Sequence, residues 1–204
     1  MPNHITTEIT GPAGILDVLT RRHTQSERLA HDATEALREQ LYIKDGRADD
    51  YAYRPLDMDE AFVDFAMLVP QPENIETGGC SGSHDEGVVC WYHWNVDNWG
   101  TKWNGYKLSI EQADDASAQL RFDTAWSHPF PIVKALSEKF PDALIEVSYA
   151  DEDLGHNLGQ YVIAAGEILQ ESVFVPGSHD ACEFAAQLKY ATSYAQLRAE
   201  WDEG

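Results

Sequence analysis

CWYHWNVDNWGTKWNGYKLSIEQADDASAQLRFDTAWS, residues 90–127, holds five of the six tryptophans (Trp91, Trp94, Trp99, Trp103 and Trp126) and the clearest strand pairing in the chain. In its second half Tyr106, Leu108 and Ile110 alternate with polar residues. Asp114-Asp115 marks a turn, and Ala118, Leu120, Phe122 and Thr124 alternate on the way back. Alternation with period two on both sides of a short polar connection is the mark of a β-hairpin, so 105–124 reads as one, with Tyr106, Leu108 and Ile110 facing inward.

Downstream, Ser127 can cap a helix whose first turn takes Pro129 and Pro131, and Ile132, Val133, Leu136 and Phe140 give that helix a buried face. Pro141 ends it. Residues 143–149 read as a strand, 160–170 as another, and a last helix spans about 179–200 behind the candidate cap Ser178. Upstream, Ile5, Thr7 and Ile9 alternate with Thr6, Glu8 and Thr10 in a short half-buried strand. Helices are expected over about 12–23 and 25–43. In the second of these, Leu29, Ala33, Ala36, Leu37 and Leu41 form an apolar stripe at three- and four-residue spacing. Residues 62–69 read as a helical turn and a short strand, and the glycine-rich 71–89 as a loop.

Strands and helices in this order imply an α+β fold, a mostly antiparallel sheet with helices on one face and a ferredoxin-like split βαβ core. One domain over 1–204 is expected, its core about 1–170, with an inserted loop 71–104 and the C-terminal helix. The length and the 43% hydrophobic content suffice for a packed core. No run has the roughly 18 apolar residues of a membrane helix, and MPNHITTEIT lacks a signal pattern, so a cytoplasmic protein with no membrane partner is expected.

The 35 acidic residues against 14 basic ones give a net charge of −21. Such a surface repels nucleic-acid phosphate and anionic lipid and favours basic partners, and it also promotes solubility. The acids are dispersed through the chain, which suits an acidic coat.

Three groups carry possible chemistry. Trp91, Trp94, Trp99 and Trp103 can anchor a core or form stacking platforms, and Lys102 can lie over an indole ring. Gly100 argues for a loop packed on the sheet at WGTKW. Cys80, His84, Cys90 and His93 read C-x3-H-x5-C-x2-H, ligand types that zinc favours at a spacing outside the standard fingers. Reduced thiols, or a bond between the two cysteines, are the other readings of that pair. Asp151, Glu152 and Asp153, beside His156 and Asn157, can hold a hard cation or simply build a turn. G-x-S-x-G, P-loop, H-E-x-x-H and dinucleotide fingerprints are missing.

NWGTKWN at 98–104, FDTAWSHPFP at 122–131 and YADEDLGHNLGQY at 149–161 together resemble the YubB-like family of phage and plasmid proteins. The resemblance covers roughly 1–170, strongest from 91 to 161, and implies a ferredoxin-like domain without implying an activity. The expectation is a mobile-element accessory protein acting by non-catalytic binding. Its partner would be a basic host or defence protein, engaged as a counter-defence or nucleic-acid-mimic protein. The competing expectation is a metal-stabilised or metal-dependent protein using Cys80, His84, Cys90 and His93.

Overall fold

The hairpin anchors a six-stranded antiparallel sheet. The computed structural model describes residues 3–76 and 88–203. In chain order these form β1 (His4–Pro12), α1 (Ile15–Leu19), β2 (Thr20–Arg22), α2 (Gln25–Lys44), β3 (Ala61–Val63), β4 (Ile75–Glu76), β5 (Val89–Cys90), α3 (Trp91–Trp99), β6 (Tyr106–Ala113), β7 (Ser117–Ala125), α4 (Phe130–Lys139), β8 (Ile145–Asp151), β9 (Leu158–Ala164), β10 (Glu167–Ser172), α5 (His179–Tyr190) and α6 (Tyr194–Glu203). The chain divides into two units, 1–19 with 63–204, and 20–62.

In the larger unit the sheet order is β10-β9-β8-β1-β7-β6. β7 and β8 both run antiparallel to β1, so they are parallel to each other with β1 between them, and α4 makes the crossover. That is the split βαβ unit, and β8-β1-β7-β6 has the ferredoxin-like order. The alternation of β1 sends Ile5, Thr7 and Ile9 to one face, where Ile9 joins Leu120, Phe122, Ile132, Val133, Leu136, Val147 and Ile163 in the main core. Strand register is irregular at β6, between Tyr106 and Ser109 and again between Ile110 and Gln112, and at β10 between Ile168 and Gln170.

Several local expectations change. Residues 12–23 give only the five-residue α1, after which the chain extends into β2. Residues 62–69 run strand first and then a turn of 3-10 helix over Phe65–Met67. Within the expected inserted loop 71–104, WYHWNVDNW is a helix, α3, and the chain leaves helix at Gly100, as expected for WGTKW. Gly100 takes φ 76° as the left-handed cap, and a Cβ there would sit 2.6 Å from Pro131 Cδ. Ser127 does not cap α4; its hydroxyl bonds the Gly100 carbonyl, and Pro129 occupies the cap position. Ile110 pairs with the buried Leu120 yet is 43% exposed on the edge strand β6, and Tyr106, expected inward, pairs with Asp123 on the opposite face. The expected strand 160–170 is two, folded at Ala165-Gly166, both with positive φ. The last helix is also two. Ala191 is left-handed at φ 53° and ends α5, whose N-cap is Ser178 as expected.

The unit 20–62 is built differently. Thr24 and Glu27 form a capping box at the start of α2, and Arg21 grips Glu27 at 2.6 Å, holding that carboxyl down to about 2 chiefly through this bond. His23 stacks on Phe62 at 4.2 Å, and His31 meets the Arg54 carbonyl at 2.6 Å, so both histidines have protein partners. α2 uses its polar side for these contacts. Tyr51 donates to the Glu35 carbonyl at 3.1 Å, Tyr53 to Asp32 at 2.7 Å, and Arg38 pairs with Glu35 at 2.7 Å. The stripe expected to face a core therefore points outward: Leu29, Leu37 and Leu41 are 62%, 59% and 52% exposed. Glu35 is the one buried residue between 20 and 62.

Candidate functional site

On the face of the sheet away from the main core, β1 presents His4 and Thr6. Their neighbours on β7 are Asp123, opposite Thr6, and Arg121, opposite Glu8. β6 adds Tyr106 and Lys107, Glu152 follows β8, and α5 brings Lys189 and Tyr190 from its last turn. His4, Thr6, Lys107, Arg121, Asp123, Glu152, Lys189 and Tyr190 line a cavity of about 400 Å³. Outside 20–62 the chain has only seven basic residues against 25 acidic ones, and three of the seven meet here.

Each charge in the cavity has a distinct fate. Lys189 Nζ donates to the His4 carbonyl at 2.8 Å, the Thr6 hydroxyl at 3.1 Å and the Ala150 carbonyl at 3.4 Å, which uses its three N–H bonds. Burial lowers its pKa first, Arg121 adds to that, and Asp123, Asp151 and Glu152 oppose it. Lys107 pairs with Asp123 at 3.0 Å, and Asp123 also accepts from the Thr6 hydroxyl at 2.8 Å. Arg121 donates to the Lys189 carbonyl at 2.8 Å, a cation on a helix C-terminus. The Tyr106 hydroxyl bonds His4 Nδ1, and burial, then Asp123 and Glu152, push its pKa up to about 12.

The tryptophans divide into two groups. Trp99 is buried, donates its ring N–H to the Val69 carbonyl at 2.9 Å, and packs edge-on to Phe65 and Trp94. Trp91 is half-buried at the start of α3. Lys102 does lie over indole rings, 4.8 Å from Trp103 and 4.7 Å from Trp126, with Tyr92 at 5.9 Å. Trp103 and Trp126 are partly exposed, so this cluster fills its own cation place with Lys102.

Asp151 is buried and closes a turn. It accepts from Asn3 at 3.3 Å, the Asp153 amide at 3.0 Å and Asn157 at 2.9 Å. Glu152 points into the cavity and Asp153 lies 3.6 Å from His156, so the three acids do not converge. Of the sulfur and imidazole quartet, Cys80 and His84 lie outside the described residues. Cys90 is buried and disulfide-bonded, which contradicts the expectation of reduced thiols and takes its sulfur from a thiolate ligand set. Among the described residues no three His, Cys, Asp or Glu side chains cluster as metal ligands.

A second polar cluster, missed in the sequence, lies inside the core. His128 Nδ1 meets the Thr7 hydroxyl at 3.1 Å, Nε2 meets the Tyr161 hydroxyl at 2.7 Å, and the ring stacks on Tyr149 at 4.3 Å. An edge of the residue still reaches the surface, yet burial of the ring holds its pKa down to about 3. Gly159 admits this packing, since a Cβ there would stand 2.8 Å from the Tyr149 ring.

The sheet order and the crossover define a protein built on a ferredoxin-like domain, and residues 105–192 match the family described as the ferredoxin-like domain in Api92-like protein. The match starts later than the sequence resemblance, leaving α3 and its tryptophans outside, and it extends past 170 through α5. Among particular proteins, the chain is similar to the uncharacterized protein YubB of Escherichia coli K12, with 32% identity over 81 residues, 39% of this chain and 55% of YubB. It thus spans little more than half the length of that relative. The crystal structure of a protein api92 from Yersinia pseudotuberculosis aligns over 56% of this chain and 40% of that one, at 22% identity and a TM-score of 0.45. Among the described residues no helix is long and apolar enough to cross a membrane.

Proposed function

We propose that the protein acts by non-catalytic binding, engaging a basic partner protein along α2. The observation that carries this reading is the exposed stripe Leu29, Leu37, Leu41 and Ile43 on a unit whose one buried side chain is a carboxylate. Ordering each residue costs about 1–2 kcal/mol of backbone entropy, and apolar burial is what usually offsets it. A unit with so little burial gains most from a partner that covers the stripe. Glu39 is an exposed carboxylate on the same helix, and the chain's overall charge of −21 favours a basic partner. The same charge disfavours direct nucleic-acid binding. A phage or plasmid accessory protein working in the host cytoplasm against a nucleic-acid-binding or defence protein fits this chemistry, with carboxylates standing where phosphates would.

The test uses the full chain and an amphipathic Lys/Leu helical peptide as the probe, with titration calorimetry across a salt series and amide spectra of α2. The expected result is binding that weakens as salt rises, shifts confined to α2 amides, and at least a tenfold loss in Leu37→Glu. Binding unchanged by Leu37→Glu overturns the proposal. So does light scattering that shows the stripe closed in a dimer, or α2 amides that stay silent because residues 63–204 of the same chain cover them.

A further inference from the structure

We propose that the cavity between β1, β6, β7 and the C-terminal end of α5 binds a small organic anion, whose carboxylate or phosphate group is held by Arg121. The argument starts from unspent valence. Arg121 has five N–H donors, and one bond, to the Lys189 carbonyl, is made. Among the described residues it takes part in no ion pair, although the chain around it carries more than three acids for every base. Burial and Arg121 lower the pKa of the half-buried Lys189, while Asp123, Asp151 and Glu152 raise it.

Lys189 is likewise without a carboxylate contact among the described residues, because its ammonium is anchored on two carbonyls and a hydroxyl. Asp123, the carboxylate best placed to neutralise the pair, is already engaged by Lys107 and Thr6. Among the described residues no carboxylate is in contact with either cation, although Asp123 and Glu152 also line the cavity, so the unspent donors of Arg121 are what an anion would meet. Guanidinium presents a planar fork that matches carboxylate and phosphate oxygens in pairs. A volume of about 400 Å³ suits a small metabolite. Tyr190 and His4 supply further wall, and Tyr106 bonds His4. Glu152, the remaining carboxylate on the wall, opposes an anion and sets its orientation away from the turn at 151–153. This site is independent of α2, so it stands or falls separately from the proposed protein partner.

The experiment titrates the full chain with sodium phosphate and with sodium succinate at constant ionic strength, following the Arg121 side-chain N–H resonance. The expected result is a saturable shift with one or both anions, the tighter of the two identifying the preferred head group. Arg121→Gln loses about tenfold or more in affinity, Arg121→Lys loses less, and Lys107→Gln also weakens binding, because it releases the Asp123 carboxylate toward Arg121 and Lys189. Glu152→Gln, an exposed change that leaves the strand cores intact, strengthens binding several-fold and keeps the test decisive if Arg121→Gln misfolds. Non-saturating shifts with both anions, or affinity that Arg121→Gln and Glu152→Gln leave unchanged, overturn the inference.

Discussion

α2 and α4 carry the same kind of sequence signal and meet opposite fates. Each has apolar residues at three- and four-residue spacing. α4 buries Ile132, Val133 and Leu136 completely against the sheet, whereas α2 leaves Leu29, Leu37 and Leu41 in solvent. Their ends differ in the opposite sense. α2 has a reciprocal capping box and an arginine clamp, while α4 begins at Pro129 with no side-chain cap. A helix with a core beneath it can dispense with caps, and a helix without one relies on local bonds. Amphipathic spacing thus shows that a helix has an apolar face, and leaves open what that face meets.

The comparison breaks most sharply through cavities. Leu136→Ala should cost about 3 kcal/mol in denaturant melts of the full chain, because a fully buried leucine leaves an empty volume under α4. A cost under about 1 kcal/mol would mean that α4 is no better seated than α2. The next test uses pH. His128, two residues ahead of α4, ties the start of that helix to Thr7, Tyr149 and Tyr161. Its folded pKa of about 3 lies below the ordinary 6.5, so the unfolded chain takes up a proton that the fold refuses. This contribution is whole above about pH 6.5 and declines as pH falls through the window toward 3, by about 2 kcal/mol at roughly pH 5. Urea midpoints measured down that range should lose this slope in His128→Gln; an identical slope in the variant would remove His128 from the account.

Smaller effects sharpen the α2 side. Thr24→Ala should weaken α2 locally by about 1 kcal/mol, seen as faster amide exchange across its first turns, without moving the global midpoint. A shift of that midpoint would show α2 coupled to the main core. Leu37→Ala should change stability by less than about 0.5 kcal/mol, since the side chain is already solvated. A drop of several times that size would mean the stripe is covered.

The sequence shows best what is local. The hairpin stood out because both strands and their turn lie within about twenty residues, and β1, α4 and the Ser178 cap were legible for similar reasons. Breaks without a compositional mark were lost. Ala191 in a left-handed conformation divides the last helix, yet alanine is the strongest helix former. Ala165-Gly166 turns a continuous apolar run into two strands. Gly100 was read as a break from helix, which holds, but the helix that it ends, α3, was not seen. The cavity was largely invisible because Lys107, Arg121, Glu152 and Lys189 are scattered over four elements, and only Glu152 sat in a cluster dense enough to notice. His128 was quoted within a motif, while its role depends on Thr7, Tyr149 and Tyr161 arriving from three other strands.

The irregular register at β6 and β10 has a consequence for crowded solutions. These two strands are the rims of the six-stranded sheet, where unmatched amides and carbonyls could template a neighbour. Each rim is interrupted within a few residues, so a foreign strand finds no long straight run along which to zip. The sheet's own geometry thus works against the addition of a seventh strand at either edge.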